Sequence, residues 1–320
     1  MEERGSRSKS CFRCVLLLFF LLFAWKMMQP AGWPGLSADA ETVWEYDGLR
    51  TEVQAAQEIM ERQPAGAVQD MMNRISRYCS TCVEYQFGDE VEILNGERIV
   101  GWIRYNAATG TVYLDREEIK AYIGELAEKY DTYQKPREFQ TSAGDWVTVT
   151  GGSYGWLLDQ AKEAGVLEHL IRSGANRKRF PRFAHTAADW SHSDLGDTYV
   201  EVDLTNQHLW LYVDGEQVLS TACVTGTYTD SGRKTPPGTY TIYSMESPAV
   251  LKGPDWNSPV SYWMPFNGGI GLHDATWRTS FGGDIFLYSG SHGCVNLPLE
   301  AAETLYSYAY NGMPVICYYR

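Results

Sequence analysis

Ser291-His292-Gly293-Cys294-Val295-Asn296 follows Gly271-Leu272-His273-Asp274, with Cys294 placed 21 positions after His273. A cysteine set among glycine and small or polar residues, with a histidine elsewhere in the chain, is the outline of a thiol nucleophile and its base. The thiolate is the reactive form, and an imidazole brought close by folding can take the proton. Gly293 removes a side chain beside the sulfur. An acyl group can then approach, and backbone N–H groups are left to hold an oxyanion. Cys294 is read as lying past a strand over 284–295 and just before a helix that opens at Pro298. The positive end of that helix predicts a lowered thiol pKa. His292 stands two residues before Cys294. If extended geometry persists it faces the same side, as a pocket-lining group or as a packed histidine held by backbone. His273 is the candidate base. Its second ring nitrogen needs an orienting partner, and Asp274 offers a backbone carbonyl or a carboxylate.

The surrounding pattern is mainly β. Tyr199–Leu204 alternates apolar and polar, as a half-buried strand does. Leu209–Val213 and Gln217–Val224 follow at turn spacing, predicting an antiparallel meander. TYTIYSM and Met264–His273 add strands, Pro298 to about Tyr310 a helix, and Val315–Tyr319 a closing strand. Glu246–Tyr262 lacks periodicity and carries Pro248, Gly253, Pro254 and Pro259, so it reads as an irregular lid or binding loop.

Upstream, residues 41–175 read as an α+β domain. Thr51–Tyr78 is helical in pattern with a break at Pro64 and Gly66. Asn95-Gly96 between apolar runs predicts a hairpin. Asp115 and Glu118 form a capping box for a helix to about Tyr130. Trp146–Thr150 reads as a strand and Gly155–Arg172 as a helix stopped by Gly174. The basic stretch Arg172–Arg182 reads as a solvated linker, or as a contact for an anionic polymer or membrane surface, and runs into a linker region at 176–197 ahead of a catalytic domain at 198–320.

The chain of 320 residues has a formal net charge of -13, which argues against nucleic acid as a partner. Arg4, Arg7, Lys9 and Arg13 precede the apolar run Val15–Trp25, which Lys26 closes. Residues 1–40 therefore read as a basic start plus a signal peptide, with Ala38-Asp39-Ala40 as a cleavage site, or a short membrane-anchor helix. Either places the remainder outside the cytoplasm, in the cell envelope. Of seven cysteines, Cys79 and Cys82 read as a local disulfide or two free thiols, and Cys223 and Cys317 as buried apolar residues. No metal or organic cofactor is expected.

The stretch GLHDATW…SHGCVNLPLEAAETLY resembles the L,D-transpeptidases of bacterial cell walls, the YkuD-like domain. The resemblance spans about Tyr199–Tyr318 and includes Lys234-Thr235-Pro236 and Gly238-Thr239-Tyr240. VTVTGGSYGWLLD is similar to the peptidoglycan-binding domain that precedes it in several such enzymes. What this implies is a mainly β catalytic domain that forms 3→3 cross-links. Cys294 would attack a tetrapeptide stem, and a neighbouring stem's amine would resolve the thioester. By the same resemblance His273 is base and later acid. Ser291, His292 and Gly293 are pocket wall and oxyanion surroundings, Asn296 shapes the pocket, and Trp277, Tyr262 and Phe281 are substrate-side aromatics. Peptidoglycan stems are the implied partners, carbapenem β-lactams the implied covalent inhibitors, and the membrane a contact if the N-terminal segment is retained. Two alternatives stand beside this reading: a hydrolase that resolves the same thioester with water, and a wall-binding protein without activity.

Overall fold

The computed structural model describes residues 64–106, 108–190, 194–253 and 257–320. The apolar run Val15–Trp25, Cys11, Cys14, the helical pattern before Pro64, and His192 lie outside them. Among the described residues no helix is long and apolar enough to cross a membrane. The chain divides into two compact units, one running to Glu128 and including Asp159–Arg182, the other made of Lys129–Leu158 and Phe183–Arg320. Residues 129–158, assigned by sequence to the first domain, thus group with the second unit.

In the first unit, helix α1 (Ala65–Cys79) leads into the hairpin β1 (Cys82–Phe87) and β2 (Glu90–Leu94). Asn95-Gly96 is not a hairpin turn. The Asn95 side chain accepts from Glu97 N–H and caps a short helix α2 (Gly96–Ile99), while the hairpin reverses before it, between Phe87 and Glu90. The competing property is the N-cap preference of asparagine. Strands β3 (Ile103–Asn106) and β4 (Thr111–Leu114) precede α3 (Arg116–Tyr130). Asp115 caps α3 through Glu117 N–H, but the reciprocal half of the box is missing, because Glu118 pairs with Arg104 and Asp115 N–H donates to Trp102.

The second unit begins with the antiparallel pair β5 (Arg137–Gln140) and β6 (Trp146–Val149), then β7 (Leu157–Leu158). The chain returns to the first unit for α4 (Gln160–Ser173) and β8 (Asn176–Arg179). Helix α4 starts later than its sequence pattern suggests, since Asp159 caps it through Lys162 N–H; Gly174 ends it in left-handed conformation. The basic stretch is no linker. Strand β8 lies parallel to β1, and Arg179 pairs with Glu163, a fully buried carboxylate that also accepts from Tyr85 Oη at 2.7 Å. Burying that carboxylate requires a cation, and the basic run supplies it.

Back in the second unit, β9 (Phe183–His185) pairs with β7. A five-stranded sheet follows, from β10 (Tyr199–Asp203), β11 (His208–Val213), β12 (Glu216–Ala222), β13 (Gly238–Thr241) and the last strand, β19 (Pro314–Tyr318), in the order β12-β11-β10-β19-β13. The meander β10–β12 is antiparallel as expected, but β10 and β19 run parallel. Between β13 and β19 lie the pair β14 (Ala249–Lys252) and β15 (Asn257–Val260), then β16 (Trp263–Asn267), β17 (Ile270–Asp274), α5 (Ile285–Ser289), β18 (Val295–Leu297) and α6 (Leu299–Tyr308). Strands β16, β17 and β18 form a second sheet, and both sheets and α6 share one apolar core through Val200, Val202, Leu272, Val295, Ala302, Leu305 and Val315.

Strand β10 is not half-buried. Val200 and Val202 enter that core, and the opposite face is covered by Phe139 and Val149 packed with Ile316 and Tyr318. Glu201 is buried on this covered face. It accepts from Ser142 N–H at 2.9 Å, Ser142 Oγ at 2.6 Å and Tyr318 Oη at 2.6 Å. These bonds fasten the β5–β6 hairpin to the catalytic sheet. Glu201→Ala is expected to lower the unfolding free energy by about 2–3 kcal/mol, because the Ser142 and Tyr318 donors lose a charged acceptor. Urea titration checks this; an unchanged midpoint would mean that Phe139 and Val149 alone hold the hairpin.

Candidate active site

Strands β17 and β18 pair in parallel with His273 opposite Asn296. Such a pair needs a long crossover, and here the crossover carries Trp277, Arg278, α5 and the Ser291–Cys294 turn. Residues 285–289, within the segment 284–295 expected as a strand, form helix α5 instead. Cys294 accordingly sits immediately before a strand rather than after one.

The turn is held from several sides. Ser291 N–H donates to Thr225 O at 2.9 Å, and Thr227 N–H donates to Ser291 O at 3.1 Å. Ser291 Oγ donates to Cys294 O at 2.5 Å and accepts from Gly293 N–H at 3.0 Å. Thr235 Oγ1 donates to Gly293 O at 2.6 Å. The Gly293 N–H is therefore committed within the turn and is not free for an oxyanion. Gly293 has φ 129°, and a Cβ there would stand 3.0 Å from Ile270 Cδ1. Gly293→Ala is expected to cut activity by at least about tenfold while Tm falls by only a few degrees, the strain being local to the turn; activity assays paired with thermal melts check it.

His273 is buried, flanked by the rings of Trp263 and Trp277 at 5.8 and 5.9 Å. Its Nδ1 bonds the backbone oxygen of Asp274 at 2.8 Å. The Asp274 carboxylate is used elsewhere, accepting from Ser261 N–H at 2.7 Å and Tyr262 N–H at 2.8 Å. Of the two orienting modes open from sequence, the carbonyl is the one present. The other ring nitrogen, Nε2, bonds Asn296 Nδ2 at 2.9 Å, and Asn296 Oδ1 accepts from Arg278 Nε at 3.0 Å. Cys294 Sγ lies 3.6 Å from Gly269 O.

His273 and Cys294 meet in one cavity of about 340 Å³, lined also by Trp277, Arg278, Ser291, His292 and Asn296. Leu251 and Ser258 form part of the wall. They face each other across the β14–β15 pair, so the segment expected to be irregular holds an antiparallel strand pair at the cavity wall. Tyr262 and Phe281 do not line the cavity; Tyr262 packs on Tyr306 at 5.1 Å. Arg278, Leu251 and Ser258 were not singled out by sequence. The only signal for Arg278 was its place beside Trp277, and strand pairing alone brings Leu251 and Ser258 to the site. Among the described residues the five cysteines are free thiols, and no cluster of three or more His, Cys, Asp and Glu side chains could hold a metal.

Residues 197–317 match the family model of the YkuD L,D-transpeptidase catalytic domain, and residues 72–179 match that of a peptidoglycan binding domain. A crystal structure of a cysteine-to-serine mutant of Enterococcus faecium L,D-transpeptidase is 32% identical, covering 78% of this chain and 100% of that one with a TM-score of 0.64. The chain belongs to the L,D-transpeptidase family. The structure of the Ldtfm–avibactam carbamoyl enzyme aligns as well, at 32% identity over 78% of this chain and 98% of that one, with a TM-score of 0.64. No curated protein sequence matches. Family membership gives this enzyme L,D-transpeptidase activity and a site of action at the cell wall, with a mainly β catalytic region after a partly helical one.

The electrostatics of this L,D-transpeptidase site differ from the sequence expectation. Burial pushes the Cys294 thiol up to about 11, only partly opposed by a hydrogen bond from Gly271 N–H. Helix α6 opens five residues after Cys294, beyond strand β18. Burial also holds the His273 imidazole below its ordinary value, against the opposing pull of the Asp274 carbonyl and carboxylate, with Arg278 adding to the lowering. Both shifts favour the neutral form of each group. Alkylation of Cys294 should therefore keep rising with pH from neutrality towards about pH 11. Peptide-mapped iodoacetamide rates check this; a plateau below pH 7 would reveal a thiolate–imidazolium pair.

Proposed function

We propose that this chain forms 3→3 cross-links in peptidoglycan, with Cys294 as nucleophile and His273 as general base and then acid. The observation that carries the reading is the shared cavity, in which the imidazole and the thiol both face one space between Trp277 and the β14–β15 pair. In the first step Nε2 takes the Sγ proton as sulfur attacks the carbonyl of the stem's third residue. The C–N bond to the terminal D-Ala breaks, and the imidazolium returns the proton to the departing amine. In the second step the side-chain amine of a neighbouring stem attacks the thioester, loses a proton to Nε2, and releases the thiol. The energy of the cleaved amide is kept in the thioester, so no nucleotide is consumed.

The resting bonds support a two-stage start. Nε2 is occupied by the Asn296 amide and the thiol points to Gly269 O. A bound stem must exchange these contacts for the Nε2···Sγ contact before sulfur attacks. Keeping both groups neutral until then limits adventitious reaction of the thiol in an oxidising compartment. Ser291 acts by shaping the turn, and the backbone around Cys294 supplies the oxyanion donors, with Gly293 N–H excluded. His292 and Trp277 line the acyl pocket. The first region holds the glycan or stem, and the N-terminal apolar run delivers the enzyme outside the cytoplasm, with or without retention at the membrane. β-Lactams of the carbapenem class acylate Cys294.

Intact-mass analysis tests this directly. The wild type incubated with a tetrapeptide stem or a carbapenem gains one acyl group on Cys294, and with an acceptor stem it yields cross-linked product. Cys294→Ala gains none and stays folded. An acylated alanine variant, or tripeptide release as the main product despite acceptor, would overturn the transpeptidase reading.

A further inference from the structure

Arg278 lies outside the sequence motif, yet it bonds Asn296 within it and the backbone of the crossover on both sides. Its Nε donates to Asn296 Oδ1 at 3.0 Å, and its Nη1 donates to Ser289 O at 3.0 Å, two residues before the Ser291–Cys294 turn. Its own N–H donates to Ala275 O at 2.9 Å, closing the turn that follows His273. Resting on the reading of His273 as the base, we infer that Arg278 is a positioning residue that sets, through Asn296, which nitrogen of His273 carries the proton.

Each step follows from donor and acceptor chemistry. A guanidinium only donates, so the Asn296 amide must turn its oxygen towards Arg278. That leaves Nδ2 facing His273, and an amide NH2 only donates, so Nε2 must present a lone pair. The neutral imidazole then carries its proton on Nδ1, which donates to Asp274 O. The opposite amide orientation would set NH2 against the guanidinium and demand a proton on Nε2. It would also leave the bare Nδ1 facing a carbonyl oxygen. Water cannot readily stand in, because Asn296 is 2% exposed and its backbone is bonded in both directions to Val224. The base lone pair is thus kept on Nε2, held by the Asn296 amide at the cavity wall, because an arginine on the crossover forbids the alternative. The charged and titratable groups around the ring are Asp274 on its own strand, Arg278 on the crossover, and Cys294 and His292 across the cavity. Of these, Arg278 alone bonds the amide that contacts Nε2.

Nitrogen-15 NMR of the imidazole in the full chain reads the tautomer without reference to activity. The wild type should show a protonated Nδ1 and a bare Nε2 at neutral pH, and Arg278→Met should populate the Nε2–H form. The same variant should lower kcat for acylation by about tenfold or more with KM little changed, a part of the 10²–10⁴-fold a positioned base contributes. In a double-mutant cycle, Arg278→Met combined with Asn296→Ala should be no slower than Asn296→Ala alone. A wild-type proton on Nε2 overturns the inference, as do an unchanged tautomer in Arg278→Met or additive losses in the cycle. If Arg278→Met does not fold, Arg278→Gln takes its place: its amide can accept as well as donate, so the Asn296 orientation is no longer forced, and it must show the same shift in tautomer. Failure of the underlying reading looks different, since the wild type would then form no acyl-enzyme whatever its tautomer.

Discussion

The parallel pairing of β17 with β18 is the constraint from which the site follows. It sets His273 opposite Asn296, 23 residues apart in sequence, at hydrogen-bonding distance. Parallel strands cannot be joined by a tight turn, so the chain between them must leave the sheet and return. Everything on that excursion is delivered to one end of the pair: Trp277 and Arg278 on the way out, the Ser291–Cys294 turn on the way back. The nucleophile and base are therefore not two loops that happen to approach. They are the two ends of one crossover, and the hydrogen bonds of the sheet fix the distance between them.

The same burial that makes the site precise makes it electrically quiet. Trp263 and Trp277 flank the imidazole, and the thiol lies in a low-dielectric turn, so both groups prefer to be neutral. A substrate carbonyl near Sγ and a polarised oxyanion favour charge separation that the empty cavity does not. A helix N-terminus beside the sulfur would have given the opposite design, a thiolate present at all times. In this chain strand β18 stands between Cys294 and α6.

How much of this could be read from residues alone depends on range. The motif residues Cys294, His273, Ser291, Gly293 and Asn296 announce themselves by type and spacing, and local alternation finds the meander β10–β12. The errors arise where tertiary partners decide. Asn95-Gly96 has hairpin chemistry, but the reversal was already made before Glu90, so the asparagine serves as a cap. The basic run ending at Arg182 looks solvated until the buried Glu163 is known to need Arg179. Glu201 looks like the wet face of a strand until Ser142 and Tyr318 are seen bonding to it. Arg278 and the paired Leu251 and Ser258 reach the cavity only through crossover and strand pairing, which no periodicity encodes.

The second face of the five-stranded sheet carries a consequence for how such a catalytic unit can be cut from its chain. A sheet whose central strands are buried on one side only would tolerate removal of everything before Tyr199. Here Phe139, Val149 and Tyr154 pack on Ile316 and Tyr318, and Ser142 closes on Glu201. Removing the hairpin would expose apolar rings beside an unsatisfied carboxylate, on the face opposite the core shared with β17 and β18. Strand β19 belongs to both faces: Val315 and Cys317 point into the catalytic core, Ile316 and Tyr318 towards the hairpin. Loss of the hairpin would thus be felt through one strand by the sheet that supports His273. The residues between the two segments of the first unit are, in physical terms, the outer layer of the catalytic fold.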